Sequence, residues 1–136
     1  MPITCQQEET LTAADYIACV GQTTLGSGRP ITNPERVQAM LDGANFIVTA
    51  RDETGMLVGL ARCMNDGVWI CFCADLAVRE SHQGQGIGRA IIDKCTELLG
   101  PRVGFILVSE PSAEGFYERT GMKRYAAFFH PRTDRS

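Results

Sequence analysis

Histidine is scarce in this 136-residue chain. Only His82 and His130 occur, and no two of the six cysteines stand at C-x-x-C spacing. That removes the usual ligand sets for zinc, and no metal is expected. A basic excess is missing too. Thirteen Lys and Arg face sixteen Asp and Glu, for a net charge of -3. No basic stripe is present to neutralise phosphates, which argues against a nucleic-acid partner. Mild acidity is compatible instead with a cationic small molecule such as an amine. No apolar run approaches the length that spans a bilayer, so no membrane is expected. The first residues lack the charged and apolar regions of a secretory signal. A reducing cytoplasm is the expected compartment.

What is present reads as one globular domain over 1–136, long enough to bury roughly two-thirds of the surface exposed by the unfolded chain. The apolar fraction is 44% and the charged fraction 21%, ordinary for such a domain. The six cysteines are expected to be buried small hydrophobes. Cys71 and Cys73, two apart in an apolar run, are expected on one strand face.

The pattern begins with a short strand over 2–7. A helix over 12–20 follows, with Thr12 as its cap. Residues 26–30 form a loop. Asn33-Pro34-Glu35 opens a second helix with a capping side chain, a first-position proline and an early acid, and it ends at Gly43. Strands then follow over 46–50, 56–63 and 68–78. They are separated by turns at Asp52-Glu53-Thr54-Gly55 and Asn65-Asp66-Gly67. A glycine-rich loop leads into a helix with Ala90, Ile91, Cys95 and Leu98 on its apolar face, closed by Gly100-Pro101. A strand over 103–108, a helix over 112–119 and a final strand over 122–129 complete the order β-α-α-β-β-β-α-β-α-β. This is an α/β (α+β) mixed sheet with helices on both faces. Residues 130–136 form a polar tail.

The loop Gln83-Gly84-Gln85-Gly86-Ile87-Gly88 lies between a buried strand and a helix. Missing side chains let backbone N–H groups at a helix N-terminus approach an anion, aided by the helix dipole. The bland alternative is a turn that permits tight strand–helix packing. Two phosphate-binding folds fail on the sequence. A dinucleotide site wants this loop after the first strand and an acid about twenty positions on. Here the loop follows four strands, and the residue near that offset is Phe105. A nucleotide triphosphate loop wants Gly-Lys-Ser/Thr, whereas Arg89-Ala90 follow Gly88.

Leu76-Ala77-Val78, a polar connector and Gln83-Gly84-Gln85-Gly86-Ile87-Gly88-Arg89-Ala90 resemble the Q/R-x-x-G-x-G/A signature of the GNAT N-acetyltransferase superfamily. Further on, Ala113-Glu114-Gly115-Phe116-Tyr117-Glu118-Arg119-Thr120-Gly121-Met122 resembles that family's second motif. The resemblance implies acetyl-CoA as cosubstrate, bound in a V-shaped cleft where the fourth and fifth strands splay apart. The pantetheine arm is then expected along the backbone of Leu76, Ala77 and Val78. The pyrophosphate is expected on N–H groups from Gln85 to Arg89, with Gln83 and Gly84 shaping the turn. Ser112 and Phe116 complete the cofactor set implied by the resemblance.

Acetyl transfer to an amine needs a donor for the carbonyl oxygen and an acid for the departing thiolate. The backbone N–H of Val78, or of a neighbour in the same strand, is the candidate donor and Tyr117 the candidate acid. The base is open. The family's glutamate position in the fourth strand is Phe72 here. Asp75, the one acid in that strand, shares a face with Cys73 and Ala77 by alternation. It is a base, an anchor for the substrate ammonium, or a structural partner of an arginine; a water relay is a fourth route. Glu110 stands where many relatives carry asparagine, and Ser109 or Ser112 is a substitute for that cofactor contact. His82 reads as a packing residue.

The patterns Gly59-Leu60-Ala61-Arg62, Asp66-Gly67 and Asp75-Leu76-Ala77-Val78 resemble a compact branch that includes arylalkylamine acetyltransferases. This implies a small-molecule aryl- or alkylamine acceptor, selected by residues 22–30 and 125–129. The rival readings are a protein lysine or N-terminal acetyltransferase and a non-catalytic acyl-CoA-binding module. A homodimer is a further expectation from the family.

Overall fold

The structure, a computed structural model, describes residues 2–134. The ends of the expected domain, Met1 and residues 135–136 of the polar tail, lie outside the described residues.

Two acidic turns set the register of the central strands. Asp52 Oδ1 accepts the N–H groups of Thr54 and Met56 between β2 (Phe46–Arg51) and β3 (Leu57–Asn65). Asp66 Oδ1 accepts those of Val68, Trp69 and Ile70 before β4 (Ile70–Val78). Such side-chain acceptors satisfy turn N–H groups that the ladder cannot reach. With β1 (Thr4–Gln7) and β5 (Gly104–Leu107) the strands form one five-stranded sheet in the order β1-β2-β3-β4-β5. The first four are antiparallel neighbours and β5 runs parallel to β4.

Helix α1 (Ala13–Val20) starts at Thr12, whose Oγ1 accepts the Asp15 N–H. Helix α2 (Pro34–Gly43) starts at Asn33, whose Oδ1 accepts the Arg36 N–H. Both pack on one sheet face, where Tyr16, Val20, Val37 and Leu41 meet Ile47, Leu57, Leu60 and Ala77. Helix α3 (Ile87–Leu99) packs on the other face, with Ile87, Ile91 and Cys95 against Val48, Val58, Cys63, Cys71 and Cys73. Its buried stripe is therefore Ile87, Ile91, Ile92 and Cys95. Ala90 and Leu98, expected in that stripe, are exposed. All six cysteines are free thiols, five buried and Cys5 half-buried.

Two further expectations are corrected. Arg62 pairs with Asp75 but Cys63 pairs with Cys73, so Ala74 is an extra residue in β4. This β-bulge reverses the alternation. Cys71 and Cys73 pack toward α3, as do Leu76 and Val78 beyond the bulge, whereas Asp75 and Ala77 turn toward α1 and α2. Asp75 and Cys73 thus stand on opposite faces, and a period-2 reading across the bulge misplaced them.

The final strand over 122–129 does not form. Helix α4 (Glu114–Arg119) ends with Gly121 at φ +88°, and Met122 N–H turns back onto Tyr117 O. The left-handed turn, open to glycine, carries the chain off without a ladder to β5. Residues 123–134 are exposed.

Candidate active site

Strands β4 and β5 pair only from Ile70–Gly104 to Cys73–Leu107. Past the bulge the two part, and β4 runs on to Val78 with β3 alone beside it. Arg79 N–H donates to Val58 O on the β3 side. By alternation along an antiparallel strand, the N–H groups of Leu76 and Val78 point the other way, into the opening. The Val78 carbonyl on that side accepts the Gln83 side chain at 3.0 Å. The gap is a cleft of about 840 Å³, within the range of small-molecule sites.

One end of the cleft is the glycine loop. Gly84 and Gly86 adopt φ +78° and +82°, a region closed to most side chains. The first intrahelical bond of α3 runs from Ala90 N–H to Gly86 O. The N–H groups of Ile87, Gly88 and Arg89 precede it and have no intrahelical acceptor. Gly88 serves a different purpose: a Cβ there would stand 3.0 Å from Phe116 Cζ. The packing reading therefore holds at Gly88, whereas Gly84 and Gly86 shape a turn beside the free N–H groups that the anion reading requires. Gln83, Gly84, Gly86, Ile87 and Gly88 line the cleft. Gln85 and Arg89 do not, and the exposed Arg89 side chain reaches Asp93 at 3.5 Å.

The opposite wall carries Leu76, Ala77 and Val78, with Ser112, Phe116 and Tyr117 across from them. The Phe116 and Tyr117 rings meet edge to face at 5.1 Å. Among the described residues nothing hydrogen-bonds the Tyr117 hydroxyl. Burial first, then the neighbouring Cys73 and Glu110, push its pKa up to about 12, so the phenol is protonated at neutral pH. Cleft residues outside the two motifs include Thr23, Thr24, Arg29 and Cys73, and the resemblance flagged Glu110 only as a departure. Glu110 Oε2 lies 3.5 Å from Thr24 Oγ1, which bridges the mouth from the loop before α2 to the end of β5. His82 also lines the cleft, half-buried, with Nδ1 2.8 Å from Ser81 Oγ.

Asp75 lies behind this wall. It is 1% exposed and does not line the cleft. Oδ1 receives Arg29 Nε at 2.6 Å. Oδ2 receives Arg62 Nε and the Tyr16 hydroxyl, each at 2.6 Å. Burial raises its pKa, but hydrogen bonding and charge from Arg62, the charge of Arg29 and the Tyr16 hydroxyl outweigh it and hold the carboxyl below its ordinary value. Burial and the Asp75 charge in turn push the Tyr16 phenol well above its ordinary range. A carboxylate fully engaged and held ionised is a poor proton acceptor. Of the readings open for Asp75, the geometry favours the structural arginine pair. Arg29 also donates to Ala74 O at 3.0 Å, so the network clamps the bulge where β4 and β5 begin to part.

Comparison with known proteins bears on the family. Residues 42–123 match the family model of the acetyltransferase (GNAT) domain. A serotonin N-acetyltransferase 2, chloroplastic, of Oryza sativa subsp. japonica is 33% identical over 99 residues, 69% of this chain and 50% of the relative. The chain thus spans about half the length of that curated relative. Among solved structures, a Deinococcus radiodurans protein classed as an acetyltransferase is 29% identical with TM-score 0.77, over 96% of this chain and 88% of that one. An aminoglycoside N-acetyltransferase in complex with CoA shares the fold at TM-score 0.71 and 13% identity, over 98% and 96% of the two chains. This chain belongs to the GNAT acetyltransferase family.

Proposed function

We propose that the chain transfers an acetyl group from acetyl-CoA to the primary amine of a small molecule, of aryl- or alkylamine type, by direct attack in a ternary complex. The observation that carries this reading is a single cleft with the glycine cradle at one end and the free Tyr117 hydroxyl on its wall. Family membership and the CoA held by a protein of the same fold support the donor. The plant relative's named activity supports the acceptor class.

The residues divide the work between cofactor and acceptor. N–H groups of Ile87, Gly88 and Arg89 take the pyrophosphate charge at the helix N-terminus. The open backbone of Leu76 and Val78 aligns the pantetheine arm, and the Val78 N–H donates to the thioester carbonyl oxygen. One preorganised donor of this kind is worth about 3–4 kcal/mol. Acetyl-CoA supplies the activated acyl group. Tyr117 donates to the sulfur as it leaves. Full proton transfer from a phenol near 12 to a thiolate whose acid lies near ~8.5 is uphill, so the hydroxyl acts chiefly through its hydrogen bond. Glu110 draws the cationic acceptor to the mouth. Asp75 positions Arg29 and the bulge and takes no proton from substrate. The protons that the amine loses before and on attack pass to solvent through water in the cleft, and the departing thiolate is released as CoA.

CoA release over a panel of small amines and peptides, with acetyl-CoA binding measured separately by calorimetry, tests the reading. Turnover confined to small amines is the expected result. Turnover with peptides alone would replace it with the protein-acetyltransferase reading, and binding without any turnover with the non-catalytic one.

Two variants probe the cleft. Gly86→Val forces a β-branched residue into left-handed backbone, a strain of about 1–2 kcal/mol, and reshapes the cradle. Acetyl-CoA affinity is expected to fall at least ~10-fold, since a tenfold loss takes only about 1.4 kcal/mol. Glu110→Gln removes a partly exposed charge attraction of up to about 1 kcal/mol. KM for amines is expected to rise up to about fivefold, with kcat and acetyl-CoA affinity nearly unchanged.

A further inference from the structure

Arg29 belongs to a cluster whose charges do not cancel. Asp75 is one carboxylate between two guanidiniums, with Arg29 Nε on Oδ1 and Arg62 Nε on Oδ2. Neither arginine has a second acidic partner among the described residues, and Tyr16 enters the network as a neutral donor. One positive charge is left over. Arg62 is sealed off, its side chain 11% exposed, whereas the Arg29 side chain is 26% exposed and lines the cleft. The excess charge therefore meets the cleft through Arg29.

A guanidinium carries five N–H donors, and on Arg29 three are engaged. Nε donates to Asp75, Nη1 to Gly28 O and Nη2 to Ala74 O. Each terminal nitrogen keeps one N–H with no acceptor among the described residues, and the guanidinium fork matches the two oxygens of a carboxylate. The position suits an acceptor rather than the cofactor. Ala74 stands where β4 and β5 begin to part, with Val78 and the glycine loop farther along. The Arg29 loop joins α1 to α2 on one sheet face, whereas the glycine cradle leads into α3 on the other. Arg29 reaches the cleft from the side opposite the cradle.

We propose that Arg29 binds a carboxylate on the acceptor, so that the preferred substrate is a primary amine that also carries a carboxylate. The identity of the reacting group as an amine rests on the acetyl-transfer reading above. An anion at Arg29 balances the excess charge of the cluster, which is costly where water is excluded. Glu110 bonds Thr24 at the start of the same loop, so that end of the cleft offers groups of both signs to a zwitterion. Along β4, Ala74 and Val78 stand four residues apart, roughly 13 Å of strand. The carboxylate therefore lies several bonds from the reacting amine. An arylethylamine with a para carboxylate has that form, whereas an α-amino acid is too short.

A matched pair of amines tests the proposal: para-(aminoethyl)benzoate against phenylethylamine, the same acceptor with and without its carboxylate. The readouts are kcat/KM for acetyl transfer and Kd by calorimetry, both on the full chain, the second with CoA present. The wild type is expected to favour the carboxylated amine by about 10–100-fold in each, the usual worth of a hydrogen bond to a charged group. Arg29→Gln is expected to bring the preference close to unity. Arg29→Lys is expected to keep part of it, because lysine retains the charge without the fork. Each preference is a ratio within one protein, so a loss of folded material cancels from it. Arg29→Lys carries the comparison where the glutamine variant does not fold. Equal Kd for the two amines in the wild type overturns the proposal, as does a preference that survives undiminished in the variants. Should neither amine be acetylated, the acetyl-transfer reading fails while Kd still decides the carboxylate site.

Discussion

Asp75→Asn is expected to lower the stability of the fold by about 3–5 kcal/mol, the usual cost of breaking a buried ion pair from one side. The substitution keeps the shape and removes the charge. Arg62, with a side chain only 11% exposed, and Arg29 would then face each other and an amide without a counter-ion. Tyr16, fully buried, would lose its charged acceptor. Tyr16→Phe removes one hydrogen bond to a charged group and is expected to cost less, about 1.5–3 kcal/mol. Urea unfolding of the three proteins gives both differences directly.

The pH dependence follows from the direction of the Asp75 shift. The folded carboxyl lies below its ordinary value, so the stabilisation is complete above the unfolded pKa of about 3.9 and fades as pH falls toward the folded one. The stability gap between wild type and Asp75→Asn is therefore expected to be constant near neutrality and to narrow below about pH 4. A base role predicts something different. The Asp75→Asn variant would then lose turnover while keeping the wild-type urea midpoint, and rate–pH profiles measured where both proteins are folded distinguish the two.

Tyr117→Phe carries the second large effect, on rate rather than stability. Loss of a positioned acid typically costs 10²–10⁴-fold, and a fall in kcat of about 10²-fold is expected for a group that acts mainly by hydrogen bonding. Acetyl-CoA affinity and the unfolding midpoint are expected to change little, because the hydroxyl has no hydrogen-bonding partner among the described residues and the ring contact with Phe116 is retained. The Tyr117 pKa, pushed up to about 12, keeps the phenol protonated through the assayable range. The defect is thus expected to be equal at every pH tested. Unchanged kcat in the phenylalanine variant would remove Tyr117 from the chemistry.

Much of the architecture was legible because it rests on short-range chemistry. Thr12 and Asn33 cap helices where their side chains reach the third following N–H. The acidic turns at Asp52 and Asp66 announce the two hairpins, and glycines at 84, 86 and 88 mark the loop that turns into α3 and approaches the Phe116 ring. What escaped depends on distance or on broken periodicity. The Ala74 bulge is one residue in an unbroken apolar run, and nothing local distinguishes it from its neighbours. Its consequence is large, since it decides that Asp75 faces Tyr16 rather than the thiols. Arg29 lies 46 residues from Asp75 in the chain, in a loop with no regular pattern to aim it. Arg62 was more accessible, because a hairpin register counted from the Asp66 turn brings it opposite Asp75. The missing last strand is a similar lesson. Residues 122–129 have strand composition, but composition cannot say whether an edge within the same chain will accept them.

The proposed acetyl-CoA-dependent transfer to a small amine, in the cleft between β4 and β5, is the reading on which the Tyr117, Gly86 and Glu110 expectations turn. Mass spectrometry of a reaction containing the full chain, acetyl-CoA and a simple arylalkylamine tests it most directly. Transfer in this cleft predicts N-acetylated amine appearing mole for mole with free CoA, and loss of nearly all of it in Tyr117→Phe under the same conditions. Acetyl-CoA that binds the chain and stays intact across a panel of aryl- and alkylamines would contradict it.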